Sequence, residues 1–195
     1  MIPNPPVPAI IANVNQRNNG GSVKLLTVSE LNQLERDAFV RVIGPVFEHS
    51  PWIAEKTWPK KPFAGLEQLH RALCETVNSA GEERQLALIR AHPDLVGRAA
   101  LAGTLTPEST GEQASAGLGR LSSDEIMLFQ KNNAAYREKF GFPFVICARL
   151  NKKEAILAGF AQRLQNSTAQ ERRAALAEIF KIAELRLRDS ISPDA

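Results

Sequence analysis

Three short stretches of this chain carry residue types that could do acid–base chemistry on a small polar ligand. The first is Arg90-Ala91-His92-Pro93-Asp94-Leu95-Val96-Gly97. Proline lacks an amide proton and pushes its predecessor out of helical geometry, so the apolar run Leu86 to Ile89 should stop at His92-Pro93. An imidazole at a helix end can point into a cleft, and its titration near neutral pH suits it to move protons in either direction. The same position also suits a ring that merely donates to a helix carbonyl or faces the helix dipole. His92 by itself does not separate these readings. The second stretch is Ser109-Thr110-Gly111-Glu112-Gln113. Ser109 and Glu112 have capping-box spacing, but Thr106-Pro107 offers a better helix start three residues earlier. In a helix opened there, Ser109, Glu112 and Gln113 fall at i, i+3 and i+4 and share one polar face. The third stretch is Phe144-Val145-Ile146-Cys147-Ala148, inside the run Gly141 to Arg149. Extended backbone among helices has no ladder partner. Its N–H groups must find neighbouring helices, water or a bound oxyanion.

Other chemistries lack their signatures. There is no H-x-x-x-H or H-E-x-x-H spacing, and His92 with Asp94 offers too few ligands for a metal. Neither G-x-x-x-x-G-K-[ST] nor a strand-linked G-x-G-x-x-G occurs, and G-x-S-x-G is absent. Cys74 and Cys147 stand far apart and form no C-x-x-C pair. The last helical stretch carries Arg172, Arg173, Lys181, Arg186 and Arg188. Such charges usually form a solvated face, and Arg186, between Leu185 and Leu187, is the one expected to turn inward.

The elements that must position these groups read as helices. A helix capped by Ser29 is expected to carry Leu31, Leu34, Ala38, Val42 and Ile43 on one face until Gly44-Pro45 interrupts it. Ser50-Pro51-Trp52 opens a short helix stopped by Pro59 and Pro62, and longer ones follow over residues 65–79 and 82–91. Thr106-Pro107 starts another. Ser122-Ser123-Asp124-Glu125 and Ser167-Thr168-Ala169-Gln170 fit capping boxes, the first opening a helix to Gly141 and the second one reaching Ile191. Residues 151–165 supply one more. Only Phe142 to Ala148 reads as extended, and a single strand makes no sheet. The fold class is therefore all-α: a single-domain helical bundle with one irregular extended segment over about residues 142–149. Residues 1–25, rich in proline, asparagine and glycine, read as a disordered leader to a domain over 26–191.

Bulk properties agree with one ordinary globular domain. The 195 residues are 44% hydrophobic and 23% charged, well away from the disordered range. A net charge of +3 is too mild to mark a nucleic-acid binder. No apolar run approaches membrane-spanning length, and the N-terminus lacks the pattern of a secretory signal. A soluble, cytoplasmic protein is expected.

Five motifs in series resemble one family, the 2-oxo-4-hydroxy-4-carboxy-5-ureidoimidazoline (OHCU) decarboxylases of urate breakdown, which yield (S)-allantoin. They are F-E-H-S-P-W-I-A from Phe47, A-H-P-D-L-V-G from Ala91, L-T-P-E-S-T-G-E-Q from Leu105, F-G-F-P-F-V-I-C-A-R from Phe140 and I-A-E-L-R-L-R-D from Ile182. The resemblance implies an all-helical homodimeric carboxy-lyase that needs no cofactor. It implies that His92 is the proton donor and that Glu112 assists it. It further implies substrate contacts from Pro93, from Ser109, Thr110, Gly111 and Gln113, from Phe144, Val145, Ile146, Cys147 and Ala148, and from an anion-binding Arg186. OHCU is then the expected small-molecule partner, with no nucleic acid, membrane or metal involved. Two other readings are a non-catalytic helical module with an apolar groove for a protein partner, and a basic nucleic-acid binder using the arginines of the last helix.

Overall fold

The computed structural model describes residues 25–192. The leader expected over residues 1–25 lies outside the described residues but for Leu25. The described chain forms ten α-helices, three single turns of 3-10 helix and one very short sheet.

Strand β1 (Leu26–Thr27) leads into α1 (Val28–Asn32) and α2 (Arg36–Ile43). The single helix expected from Ser29 is thus two. Its cap is Thr27, whose hydroxyl accepts the Glu30 amide while the Glu30 carboxylate accepts the Thr27 amide. This capping box starts the helix two residues early and leaves Ser29 inside it. Helix α3 (Trp52–Thr57) begins after Pro51, and Ser50 makes no side-chain cap. Helices α4 (Leu66–Asn78) and α5 (Glu82–Ala91) follow the apolar periodicity closely. A short α6 (Arg98–Leu101) was not expected; four residues are too few to show a period. Then come α7 (Pro107–Ser115), α8 (Ser123–Phe140), α9 (Lys153–Arg163) and α10 (Thr168–Ser190). The caps read from sequence at Thr106, Ser122 and Ser167 all accept the expected backbone N–H. Gly141 ends α8 in the left-handed conformation, φ 74°, which glycine alone adopts without strain.

Helix α10 is the axis of the bundle. It packs on α4 and α5, while α3 packs on α4 and α8 on α9. Its buried stripe runs Ala175, Ile179, Ile182, Ala183, Arg186, Leu187, a helical period with one guanidinium set into it. Beyond its end, Ile191–Ser192 (β2) pairs in parallel with β1, Leu26 opposite Ile191 and Thr27 opposite Ser192. This two-residue ladder corrects the expectation that residues 142–148 are the only extended chain.

The irregular segment after Gly141 is extended as expected but belongs to no sheet. Its alternating Phe142 and Phe144 are fully buried. Phe144 stacks on Phe160 with ring centroids 3.9 Å apart and meets Tyr136 edge-on at 5.2 Å. Side chains take the backbone groups that a neighbouring strand would have taken. Arg90 donates to the Gly141 carbonyl (3.1 Å), Arg163 to that of Val145 (2.6 Å) and Asn151 to that of Cys147 (2.9 Å). Arg163 is itself fixed by the buried Glu171, which also accepts from the Tyr136 hydroxyl. Side chains of α5, α8 and α9 hold the segment without a ladder. At residues 148–150 it closes into a 3-10 turn against α7.

Candidate active site

His92 sits where α5 ends, with ψ 138° under the constraint of Pro93. Its Nδ1 lies 3.0 Å from the Leu88 carbonyl. A carbonyl only accepts, so Nδ1 carries the proton, and the neutral ring keeps its lone pair on Nε2. Burial pushes the imidazole down to about 4, against the Leu88 hydrogen bond and the nearby Glu48 carboxylate, which oppose the shift. At neutral pH the ring is uncharged.

Helix α7 presents its polar face as its spacing predicted. Ser109 and Gln113 are buried and Glu112 is half-buried, all three lining one pocket. Thr110 and Gly111, about 100° and 200° further round the helix from Ser109, are exposed and do not line it. Thr110 donates instead to the Thr106 carbonyl at 2.9 Å. Gln113 reaches back to the chain after His92, where its Oε1 accepts the Val96 amide at 3.0 Å. That turn needs fixing, since Val96 holds a left-handed φ of 53°, unfavourable for a β-branched residue. Asn133 donates to the Leu95 carbonyl (2.8 Å), and Arg137 pairs with Asp94 (3.0 Å) from the same side.

Arg186 turns inward, as its place between two leucines suggested, but it is not a free anion receptor. Its Nε and Nη2 fork onto Glu112 at 2.7 and 2.8 Å. Nη1 donates to Glu48 at 3.0 Å and to the Pro45 carbonyl at 3.5 Å, and Nη2 reaches Ser109 Oγ at 3.3 Å. All five guanidinium N–H groups have acceptors. Burial pulls the guanidinium down, but Glu112 and Glu48 outweigh it and hold the pKa above its ordinary value.

Glu48 is the site residue that sequence reasoning missed. It is 3% exposed and accepts from Thr106 Oγ1 (3.0 Å), Ser109 Oγ (3.1 Å) and Arg186. Burial alone would raise its carboxyl; Arg186 and its hydrogen bonds bring it below the usual value. Its neighbours Phe47 and His49 give no local sign of this. The available signal was Arg186 itself, since a guanidinium on a buried helix stripe needs carboxylates to receive it.

The pocket of about 370 Å³, counting its open mouth, is closed by Phe144, Val145, Ile146 and Ala148 opposite α7. Among the described residues the amides of these four have no hydrogen-bond acceptor. Cys147 differs: its amide donates to Glu178 at 2.8 Å, and it does not line the pocket. The pocket is therefore lined by a neutral imidazole, a carboxylate locked to a guanidinium, a hydroxyl and an extended segment with amides that have no protein acceptor. That set suits a small polar ring whose reaction develops negative charge.

A family model described as OHCU decarboxylase matches residues 32–188. The chain belongs to the OHCU decarboxylase family. A curated relative from Amia calva, 2-oxo-4-hydroxy-4-carboxy-5-ureidoimidazoline decarboxylase, is 43% identical over 85% of this chain and 95% of its own length. The protein of the same name from Haloferax volcanii is 42% identical over 87% of this chain and 98% of its own. A solved structure of (S)-allantoin synthase superposes with a TM-score of 0.70 at 29% identity, covering 86% of this chain and 54% of that one. Among the described residues no helix is long and apolar enough to cross a membrane.

Proposed function

We infer that this chain decarboxylates OHCU to (S)-allantoin in urate degradation and delivers the new proton to one face of the ring. The observation that carries the reading is a member of this family with a buried, neutral His92 lining one wall of a pocket and unclaimed backbone amides on another. The substrate has a carboxylate and a hydroxyl on one ring carbon, beside the ureido-bearing carbon of the ring C=N bond. That C=N bond accepts the bonding pair when carbon dioxide leaves, so the chemistry needs no separate electron sink.

The residues take three roles. Pocket-facing backbone amides of the Phe144–Ala148 segment hold the developing enolate oxygen. Glu112, oriented by its fork with Arg186, accepts the substrate hydroxyl. His92, once it has taken a proton at Nε2, passes it to the ring face it borders. Ser109, Gln113 and Pro93 shape the remaining wall, and Arg186 acts through Glu112 rather than on the substrate. Thr110, Gly111 and Cys147 take no direct part. A homodimer at work in the cytoplasm belongs to the same reading and is supported by the family resemblance; sedimentation and cell fractionation test those two points.

Circular dichroism of allantoin formation from freshly generated substrate is the experiment. Wild type should produce one enantiomer faster than the optically silent background, and His92→Asn should not. Wild type indistinguishable from background would overturn the reading.

A further inference from the structure

The charges around the pocket do not balance for an anionic substrate. Glu48 and Glu112 are two carboxylates against the single guanidinium of Arg186, and the neutral His92 adds nothing. The cluster therefore carries one net negative charge. Its guanidinium has no donor left to offer, since all five N–H groups are engaged inside the protein. Among the described residues, the other cations near the site are each engaged elsewhere. Arg149 is paired with Asp189, and Lys181 with Glu178, the carboxylate that also holds the Cys147 amide. Arg90 donates to the Gly141 carbonyl, and Arg137 is paired with Asp94. His49, 3.9 Å from Glu48 but largely exposed, lies with Arg41 and Glu108 on a second, open cavity of about 820 Å³ counting its mouth, behind the Glu48–Arg186 pair.

A carboxylate brought into such a pocket meets like charge in a partly desolvated space, which is strongly unfavourable unless a positive charge comes with it. The group placed to supply one is His92: its Nε2 is unengaged, and Glu48 already stabilises its charged form. We propose that the site takes up one proton from solvent with each substrate carboxylate, His92 becoming the imidazolium only when the substrate is bound. The inference rests on the decarboxylase reading above.

The balance closes. The bond from ring carbon to carboxylate breaks, carbon dioxide leaves, and the electron pair passes through the neighbouring carbon to the ring nitrogen, leaving an enol. The hydroxyl proton moves to that nitrogen by way of Glu112, the proton taken up on binding passes from His92 Nε2 to the ureido-bearing carbon, and the imidazole returns to its neutral state as the enol oxygen becomes the carbonyl of allantoin. Decarboxylation of a carboxylate consumes one proton per turnover, and here that proton arrives with the anion. The acid is thus charged by its own substrate, and the empty site stays uncharged at His92.

Steady-state kinetics on the full chain from pH 6 to 8 test this, with (S)-allantoin as a competitive inhibitor. One proton taken up per anion bound makes kcat/KM for the substrate fall about tenfold per pH unit across that range. Inhibition by uncharged (S)-allantoin should not follow that slope. His92→Asn, which cannot take up the proton, should turn over at a residual rate whose kcat/KM is flat across the same range. A flat wild-type kcat/KM, or allantoin inhibition with the same slope as substrate, overturns the proposal while leaving the decarboxylase reading intact. Absence of enzymic turnover at every pH overturns both.

Discussion

The Arg186 guanidinium meets the Glu112 carboxylate as a two-point fork, Nε to Oε1 at 2.7 Å and Nη2 to Oε2 at 2.8 Å. Helices α7 and α10 are joined there by paired, nearly parallel hydrogen bonds, a geometry that lysine cannot reproduce. Arg186→Met should cost about 3–5 kcal/mol of stability, because it leaves Glu48 and Glu112 buried without a counter-charge. Arg186→Lys should unfold later in urea than Arg186→Met yet still lose activity, since a point charge does not orient Glu112. Equal activity in Arg186→Lys and wild type would show that the orientation is irrelevant.

His92→Asn should retain the fold and lower the enzymic rate by about 10²–10⁴-fold. The asparagine amide can still donate to the Leu88 carbonyl, so far-ultraviolet dichroism should be unchanged. Product formed by the variant should approach the racemate, which chiral chromatography reads directly.

Stability should depend on pH through the same residue. Unfolded, His92 titrates near its ordinary 6.5; folded, its burial brings it to about 4. Between those values the unfolded chain holds more protons, so stability present above pH 6.5 is lost as pH falls towards 4, by up to about 3 kcal/mol. Glu48, held below its ordinary 4.5, adds a further loss at still lower pH. Thermal midpoints at pH 7 and pH 5 should differ in wild type and differ less in His92→Asn.

The extended segment is positioned by Arg163, Glu171 and Tyr136, none of which touches the pocket. Tyr136→Phe removes a donor to the buried Glu171 and should cost about 1–3 kcal/mol. Arg163→Met frees the Val145 carbonyl as well. It should raise KM more than it lowers kcat, with faster hydrogen exchange across residues 142–148. Unchanged exchange there would mean that the stacked Phe144 and Phe160 rings fix the segment unaided.

Where local chemistry decides the structure, the residues were enough. Pro93 stops α5, Ser122 and Ser167 open α8 and α10, and Gly141 closes α8, because each acts on the backbone beside it. The shared face of Ser109, Glu112 and Gln113 was also legible, being a matter of helical period. Glu48 was not, because its burial depends on Arg186, 138 positions away. The fate of the Cys147 amide was hidden for the same reason: Glu178 comes from another helix. Arg186 lay between. Its burial showed in its neighbours, but its saturation by two carboxylates is a property of three elements meeting.

The two-residue ladder between Leu26–Thr27 and Ile191–Ser192 makes the described fold nearly circular. The order in which the helices are strung is then separable from the way they pack. A permuted chain, joined by a flexible linker long enough to cross back from Ser192 to the start of β1 and opened at the exposed Gly119, should assemble the same pocket. In such a chain α8 to α10 would be made before α1 to α7, and Arg186 would wait for its carboxylates rather than they for it.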